Sequence, residues 1–214
     1  MRMEVMGAPG SGKGTQARML AKKFGIPHVS TGDMFRENVL SGTSIGREAG
    51  KILQRGELVP DDLVTQMIAE RLGRSDCDAG YLLDGYPRTM SQLEALDAYL
   101  VSRGWNRSAV LFLEVPDEEI VRRISGRRNC PHCGPMQIGE KEGEAACPGC
   151  GARLQQRNDD REEVLRKRLE VYRRQTAPLL AVYRQRKLLL EIDGVGAEAK
   201  VLQRICTALD GEAA

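Results

Sequence analysis

The sequence predicts an α/β fold, because short apolar runs alternate along the chain with stretches in which apolar residues recur at helical spacing. Composition agrees with this fold class: the 214 residues include 23 glycines, whereas aromatic residues account for 4%. Abundant glycine and few aromatic residues suit a protein with many tight turns better than an all-β sandwich. In addition, the glycine-rich loop Gly7–Thr15 directly follows the apolar run Met3–Met6, which is the order expected of a strand, a phosphate-binding loop and a helix.

Length and charge limit the functions that the chain can have. A chain of 214 residues can form one or two domains with a substantial core. Its formal net charge of +2 is too small to indicate by itself a nucleic-acid or membrane surface. No run approaches the roughly 18 apolar residues of a membrane-spanning helix, and Met1–Glu4 leads into the first strand rather than into a signal peptide. We therefore expect a soluble, cytoplasmic protein with no membrane and no nucleic-acid partner.

The loop Gly7–Thr15 has the residue types needed to hold phosphate. Its glycines allow backbone N–H groups to turn toward phosphate oxygens, and the helix that opens near Lys13 adds the positive end of its dipole. Lys13 brings a full positive charge to the β- and γ-phosphates. Gly14 separates this lysine from the hydroxyl group of Thr15, whereas the more common pattern has lysine directly before serine or threonine. The alternative is a glycine-rich turn that only connects a strand to a helix.

Two helices and a short strand are expected after the loop. Apolar residues at helical spacing predict a helix over Thr15–Phe24, which Gly25 ends. A strand is expected at 27–29, and Ser30 then caps a second helix in which Arg36 lies about one turn from the start. An arginine near a helix N-terminus makes a second anion site, although an ordinary surface arginine fits the pattern equally well.

The segment 30–59 is predicted to be a small helical insertion. A helical stretch interrupted by glycines covers 42–56, and Pro60 follows it closely. Asp61 and Asp62 then start the next helix, because acidic residues are favoured in the first turn.

A carboxylate and an arginine follow the buried run Tyr81–Leu83. Asp84 and Arg88 lie just beyond it, at the carboxyl end of a predicted parallel strand, which is where α/β sheets bind ligands. Asp84 can hold Mg²⁺ through water, and Arg88 can bind phosphate. A helix cap is the alternative role for Asp84, but a strand-end aspartate beside a phosphate-binding loop is the usual arrangement for Mg²⁺.

The rest of the chain continues the alternation of helices and strands. The expected strands cover 110–115 and 188–192. The expected helices cover 89–101, a stretch from Asp117 toward Arg123, a long stretch from Glu162 to about Arg186 that is interrupted near Pro178, and a last helix that ends at Leu209.

Four of the six cysteines form two Cys-x-x-Cys pairs, Cys130 with Cys133 and Cys147 with Cys150. In a reducing compartment this pattern indicates a metal rather than disulfides. Four thiolates close a tetrahedral Zn²⁺ shell, so the metal is expected to be structural, although a redox role for the pairs is the alternative. We interpret His132 as a bystander.

In their order along the chain, these motifs closely resemble those of the adenylate kinase family, in its long-lid, zinc-containing form. The resemblance covers essentially the whole chain. It rests on Gly-x-Pro-Gly-x-Gly-Lys-Gly-Thr at 7–15, Ser-Thr-Gly-Asp-Met-x-Arg at 30–36, Asp-Gly-Tyr-Pro-Arg at 84–88 with Gln92, Gly-Arg-Arg at 126–128, the four cysteines, and Arg157 with Asp159 and Asp160.

The resemblance implies a fold and an activity. The fold is a three-layer core like that of P-loop NTPases, with a five-stranded parallel sheet, formed by residues 1–29, 60–125 and 161–214. Two flaps extend from this core, an NMP-binding segment at 30–59 and a zinc-bearing lid at 126–160. The implied activity is that of a monomeric phosphotransferase. With Mg²⁺, it reversibly transfers the terminal phosphoryl group of ATP to AMP and gives two ADP.

The resemblance also implies a role for each matching residue. Residues implied to bind ATP are Gly10, Ser11, Gly12, Lys13, Gly14, Thr15, Arg127 and, at the adenine, Gly196. Residues implied to bind AMP are Thr31, Arg36, Glu57, Leu58, Val59, Gly85, Tyr86, Pro87, Arg88, Arg157, Arg168 and, at the adenine edge, Gln92. Residues implied to act in catalysis are Lys13, Asp84, Arg88, Arg123, Arg157 and Arg168.

The lid departs from the family pattern. Zinc-bearing relatives commonly have Thr-Tyr where this chain has Met136-Gln137, and the segment between the cysteine pairs looks shortened. Contacts of the lid with the ATP adenine or ribose are therefore not assigned to these two residues.

Two other functions stand as alternatives. One is a nucleoside monophosphate kinase that prefers UMP or CMP as acceptor or GTP as donor, against which the long lid and Gln92 argue. The other is a zinc-ribbon ATPase that binds nucleic acid through Arg127, Arg128, Arg153 and Arg157. Against this second alternative, the ribbon has no aromatic positions for stacking on bases, and a net charge of +2 does not give an overall basic field.

Overall fold

The structure, a computed structural model, describes residues 1–130, 136–138, 146–155 and 158–212. Its centre is a five-stranded parallel sheet in the order β2-β3-β1-β4-β7, and a separate antiparallel pair consists of β5 and β6. The strands are β1 (Arg2–Met6), β2 (His28–Ser30), β3 (Tyr81–Asp84), β4 (Ala109–Glu114), β5 (Arg127–Asn129), β6 (Met136–Ile138) and β7 (Leu189–Asp193).

Helices cover both faces of the sheet. They are α1 (Lys13–Phe24), α2 (Thr31–Leu40), α3 (Ser44–Gln54), α4 (Asp61–Leu72), α5 (Met90–Ser102), α6 (Asp117–Ser125), α7 (Glu162–Val171), α8 (Pro178–Gln185) and α9 (Glu198–Glu212). On one face, α1 and α9 bury Leu20 and Ile205 against the strands. On the other face, α5 and α8 bury Leu93 and Tyr183. The predicted three-layer α/β core is confirmed.

The apolar runs form the middle of the sheet, as parallel strands covered on both faces require. Met3 of β1 pairs with Leu82 of β3 and with Ala109 of β4, and all three side chains are buried. Glu4 is a buried exception that forms an ion pair with Arg107. Burial is the largest influence on this carboxyl group, and it raises the pKa of Glu4.

The boundaries of the helices follow the predicted caps. Gly25 ends α1 in the left-handed region with φ 63°, where glycine is favoured. The Ser30 hydroxyl oxygen accepts a hydrogen bond from the Asp33 amide at 3.3 Å and so caps α2. The long helix predicted up to Arg186 is two helices, because a π-helical turn, Tyr172–Thr176, precedes Pro178. The last helix continues past the predicted end at Leu209.

The two regions predicted to form flaps differ in structure: one is helical, and the described part of the other contains short antiparallel pairings. The segment 30–59 contains α2 and α3, which pack on each other. In the region 126–160, β5 pairs with β6, and Ala146 forms an isolated bridge with Arg153. Within the described residues, no helix is both long enough and apolar enough to cross a membrane.

Candidate active site

A cavity of about 690 Å³ lies beside the carboxyl ends of the central strands. This is the edge at which parallel α/β sheets bind ligands. Four parts of the chain line it: the loop after β1, the helices α2 and α3 with the segment after them, the segment after β3, and residues of α7 with the regions next to it. The residues that the sequence predicts to be functional and that line the cavity are Lys13, Arg36, Glu57, Leu58, Gly85, Pro87, Arg88, Cys130 and Arg168.

The loop after β1 leads into α1, whose N-terminus has no side-chain cap. Gly12 caps α1 in the left-handed region with φ 91°, and it makes no side-chain cap hydrogen bond. A residue with a Cβ is strained in this conformation. Because a helix N-terminus leaves several N–H groups without intrahelical partners, this loop can bind an anion.

Lys13 lies in this loop, where its surroundings stabilise its positive charge only weakly. Its Nζ donates a hydrogen bond to the Ala8 carbonyl oxygen at 3.2 Å. Burial, together with the positive charges of Arg88 and Arg168, lowers the pKa of Lys13 to about 7 against the opposing effect of Asp84. A bound phosphate group would favour the charged lysine.

Asp84 ends β3 next to the loop, as the sequence predicts. Its carboxylate is buried and lies 3.4 Å from His28 Nε2. Although burial opposes ionisation, the His28 hydrogen bond and the charge of Lys13 hold the pKa of Asp84 below its usual range. A helix-cap role is excluded for Asp84, because α5 is capped by the Thr89 side chain.

The structure explains the glycine that follows Lys13. A Cβ at Gly14 would lie 3.2 Å from Asp84 Oδ2, so a larger residue would press on the carboxylate. The Gly-Lys-Gly-Thr pattern thus brings the helix start close to the end of β3.

Arginines from three separate elements line the same cavity. Arg88 Nε donates to the Gly85 carbonyl oxygen at 2.8 Å. Burial, reinforced by the charge of Arg168, lowers the pKa of Arg88 to about 10. Arg168 forms an ion pair with Asp159 at 3.0 Å, and Arg36 pairs with Asp33 on α2. All three arginines therefore face one cavity, in which an anionic ligand can bind.

Arg123 contacts backbone rather than the cavity. Its Nη1 donates to the Ser11 carbonyl oxygen at 3.1 Å and its Nη2 to the Gly194 carbonyl oxygen at 2.9 Å. Its Nε pairs with Glu119 at 2.7 Å. Arg123 thus joins the loop after β1 to the turn after β7, in which Gly196 lies. Its predicted contact with a transferring phosphoryl group stays a prediction.

The residues predicted to hold AMP are linked by hydrogen bonds around the end of β3. Thr31 Oγ1 donates to the Gly85 carbonyl oxygen at 2.9 Å, and the Tyr86 hydroxyl group donates to the Gln92 carbonyl oxygen at 3.1 Å. Val59 is buried. The structure brings these residues together, but it does not test what they bind.

The sequence does not predict a hydrogen bond that holds the Gln92 side chain in place. Gln92 Nε2 donates to Asp61 Oδ1 at 2.7 Å, and Gln92 Oε1 accepts from the Arg88 amide at 2.8 Å. The sequence around Asp61 indicates only the start of a helix, so nothing in it signals this contact.

Three cysteines meet in the region predicted to be a lid. The Sγ atoms of Cys130, Cys147 and Cys150 all lie within 4.8 Å of one another, and those of Cys130 and Cys150 are 3.4 Å apart. Cys133, predicted to be the fourth ligand, and His132 lie outside the described residues.

Of the predicted lid arginines, Arg127 is described and lies 3.1 Å from the buried carboxylate of Asp160. Burial lowers the pKa of Arg127 from its usual value. Arg157 also lies outside the described residues, so its predicted role is not tested.

Known proteins are similar to this chain over almost its whole length. A family model described as "Adenylate kinase" matches residues 5–188. A protein named "Adenylate kinase" from Thermodesulfovibrio yellowstonii is 45% identical over 213 residues, which cover 98% of this chain and 99% of that protein. Proteins of the same name from Methanococcoides burtonii and Moorella thermoacetica are 47% and 48% identical, each over 98% of this chain and over 99% and 98% of their own length.

Proposed function

The chain belongs to the adenylate kinase family of phosphotransferases, and we propose that it catalyses the reversible transfer of the terminal phosphoryl group of ATP to AMP. The reaction gives two ADP and requires Mg²⁺. In this proposal the loop from Gly10 to Thr15 holds the ATP phosphates, with Arg127 and Gly196 as further contacts. The proposed AMP site is made by Thr31, Arg36, Glu57, Leu58, Val59, Gly85, Tyr86, Pro87, Arg88, Gln92, Arg157 and Arg168.

The observation that carries this proposal is that two cations with lowered pKa face one cavity from separate segments. Lys13 and Arg88 both donate to backbone carbonyl oxygens, and among the described residues neither forms an ion pair with a carboxylate. Cations that form no ion pair with a carboxylate are suited to bind the phosphate groups of a ligand. A transfer between two nucleotides brings phosphate groups of donor and acceptor into one cavity, where cations from two separate segments can bind them.

The proposed chemistry depends on charge and position more than on covalent catalysis. Phosphoryl transfer spreads negative charge over the equatorial oxygens, so positioned cations stabilise the transition state. Lys13 contributes from the donor side and Arg88 from the acceptor side, while Arg123, Arg157 and Arg168 converge on the transferred group. Closure of the flaps would exclude water and so prevent hydrolysis of ATP.

Asp84 fits the magnesium ion that accompanies ATP. Its carboxylate is buried at the end of β3, beside the loop that holds Lys13, and its low pKa keeps it ionised. Oxygen ligands of this kind suit Mg²⁺, which usually retains several waters. When bound, the ion neutralises charge on the phosphates.

We propose that the three cysteines, together with Cys133, hold a structural Zn²⁺. The three thiols within 4.8 Å of one another match the donor type of a structural zinc site and supply three of its four ligands, and Cys133 would supply the fourth. The region 126–160 is too short to build a large hydrophobic core, so a metal would keep it folded.

Removal of the metal tests this site. We expect chelation under denaturant to release about one Zn²⁺ per chain, measured by mass spectrometry, and to lower the melting temperature of the refolded protein. A metal-free protein with an unchanged melting temperature would contradict a structural role.

The same proposal divides the chain into a core (1–29, 60–125 and 161–214) and two flaps (30–59 and 126–160). It also describes a monomeric, cytoplasmic enzyme with no nucleic-acid or membrane partner. Light scattering of the purified protein with and without nucleotides would measure the oligomeric state. A dimer under both conditions would contradict it.

The function itself is tested by a panel of acceptors and donors. We expect ADP formation in a coupled assay to be fastest with ATP and AMP, and slower with GMP, CMP or UMP as acceptor or with GTP as donor. A pyrimidine acceptor used as well as AMP would favour the related monophosphate kinases. Salt-dependent binding of RNA or DNA without AMP-dependent ADP formation would favour a nucleic-acid-binding ATPase.

A further inference from the structure

The side-chain amide of Gln92 is held between two groups of opposite hydrogen-bonding character. Its Nε2 donates to Asp61 Oδ1 at 2.7 Å, and its Oε1 accepts from the Arg88 backbone N–H at 2.8 Å. A carboxylate can only accept and a backbone N–H can only donate. The partners therefore determine which end of the amide is oxygen and which is nitrogen, independently of how the two atoms are assigned.

Asp61 is itself held in place. The Thr89 hydroxyl group donates to Asp61 Oδ2 at 2.7 Å, and Thr89 Oγ1 also accepts from the Gln92 backbone N–H at 3.2 Å. Gln92 is 2% exposed. A rotated amide would place its oxygen against the carboxylate and its NH₂ against the Arg88 N–H. Both contacts are partly buried, and in the rotated amide both would be mismatched, which costs free energy.

This arrangement leaves a defined pair of groups for a ligand. The amide has two N–H donors and two acceptor positions, and the contacts with Asp61 and Arg88 use one of each. The remaining N–H and the remaining lone pair keep the order that Asp61 sets. Gln92 does not itself line the cavity, but Arg88, from whose backbone N–H it accepts a hydrogen bond, and Pro87 both do.

The order of donor and acceptor distinguishes two kinds of purine. Adenine presents an amino donor at position 6 and an acceptor at N1, whereas a 6-oxopurine presents an acceptor at position 6 and a donor at N1. An amide that is free to rotate can match either edge. An amide with a fixed orientation can match one, and it leaves buried groups unpaired with the other.

We propose that Asp61 is a positioning residue that sets the specificity for the acceptor base, by fixing Gln92 in the orientation that accepts 6-aminopurine and rejects 6-oxopurine monophosphates. The inference deepens the proposed function and rests on it, since it takes AMP as the acceptor and Gln92 as the residue at its base edge. Asp61 does not contact the substrate itself, so its effect should appear in discrimination rather than in the rate of transfer.

The test compares AMP with IMP, which differ only in the 6-amino or 6-oxo group and the N1 proton. In Asp61→Asn the new side chain can present either oxygen or NH₂ to Gln92, so of the two original partners only the Arg88 N–H still opposes rotation of the amide. We expect the ratio of kcat/KM for AMP over IMP to fall about tenfold or more, because a rotated Gln92 amide can pair with IMP without the mismatched hydrogen bonds that penalise IMP in the wild-type enzyme. The KM for ATP should change less than about twofold, because the ATP phosphates bind at a different segment.

Asp62→Asn is the matched control. Asp62 is the adjacent carboxylate in the same first turn of α4, and it is exposed. The control should leave the AMP to IMP ratio unchanged. Asp61→Ser, a residue favoured at helix starts, provides a second variant without the carboxylate, and Trp105, the one tryptophan in the chain, reports folding by fluorescence.

The outcomes separate this inference from the proposed function. A ratio that stays within about twofold of the wild-type value in both folded Asp61 variants overturns the role of Asp61. A ratio that falls equally in the Asp62 control overturns it as well. A wild-type enzyme that does not phosphorylate AMP overturns the proposed function instead.

Discussion

The two sides of the cavity are built in different ways. The phosphate-binding part of the proposed donor side comes from one continuous stretch, Gly7–Thr15, which is proposed to bind through backbone N–H groups and one lysine. The proposed acceptor side combines side chains from separate segments, including Thr31, Arg36 and Gln92, and hydrogen bonds between those segments hold it together. The donor side therefore depends on local backbone geometry, whereas the acceptor side depends on how the chain folds.

The largest expected effect comes from removing the one cation of the donor loop. Lys13→Met should lower kcat by about 10³-fold or more, because a charge that stabilises the transition state is lost. Steady-state ADP formation measures the loss. Lys22→Met, at an exposed position of the same helix, should retain full activity. A near-normal rate in Lys13→Met, with native Trp105 fluorescence, would contradict the role of the loop.

A smaller effect is expected from the acceptor side. Arg36→Ala should raise the KM for AMP about tenfold, since a partly exposed charge-assisted contact with phosphate is lost. The KM for ATP should stay within about twofold. Arg47→Ala, at an exposed position of α3, is the control. Equal increases in both KM values would mean that Arg36 does not belong to one side.

The two sides should also differ in their dependence on pH. The pKa of Lys13 is about 7 in the free enzyme, and bound phosphate should raise it. ATP binding at pH 8 should therefore take up a proton, and its affinity should fall about fivefold between pH 7 and 8. Because the pKa of Arg88 is about 10, AMP binding should show no such uptake. Calorimetry in buffers of different ionisation enthalpy would measure both.

Lys13→Met provides the control for the pH experiment, because methionine at position 13 has no group that titrates. Proton uptake that persists in it would assign the effect to another residue.

The smallest expected effect comes from the contact between the donor loop and β3. In Gly14→Ala the new Cβ would lie 3.2 Å from Asp84 Oδ2. The carboxylate has to shift slightly, so the Mg²⁺ concentration for half-maximal turnover should rise about threefold. Gly211→Ala, where a Cβ meets nothing within 4 Å, should not change it. An unchanged Mg²⁺ requirement in Gly14→Ala would show that this contact does not position Asp84.

Much of the fold was predictable because its signals are local. The apolar runs before Gly7 and Asp84 predicted buried strands, and the serine at position 30 predicted a helix cap. The π-helical turn at Tyr172–Thr176 was not predicted, since the sequence marks only the proline that follows it. The buried Glu4 was missed because its partner Arg107 is distant in the sequence.

The sequence by itself determined the glycine-rich loop, the strands of the central sheet and the cysteine pairs, because backbone conformation and periodicity depend on neighbouring residues. Only the tertiary structure decided which side chains constrain each other across the sheet edge. Asp61 and Gln92 are 31 positions apart, and no local pattern relates them. Their contact exists because α4 and α5 begin next to each other beside β3, which is a property of packing.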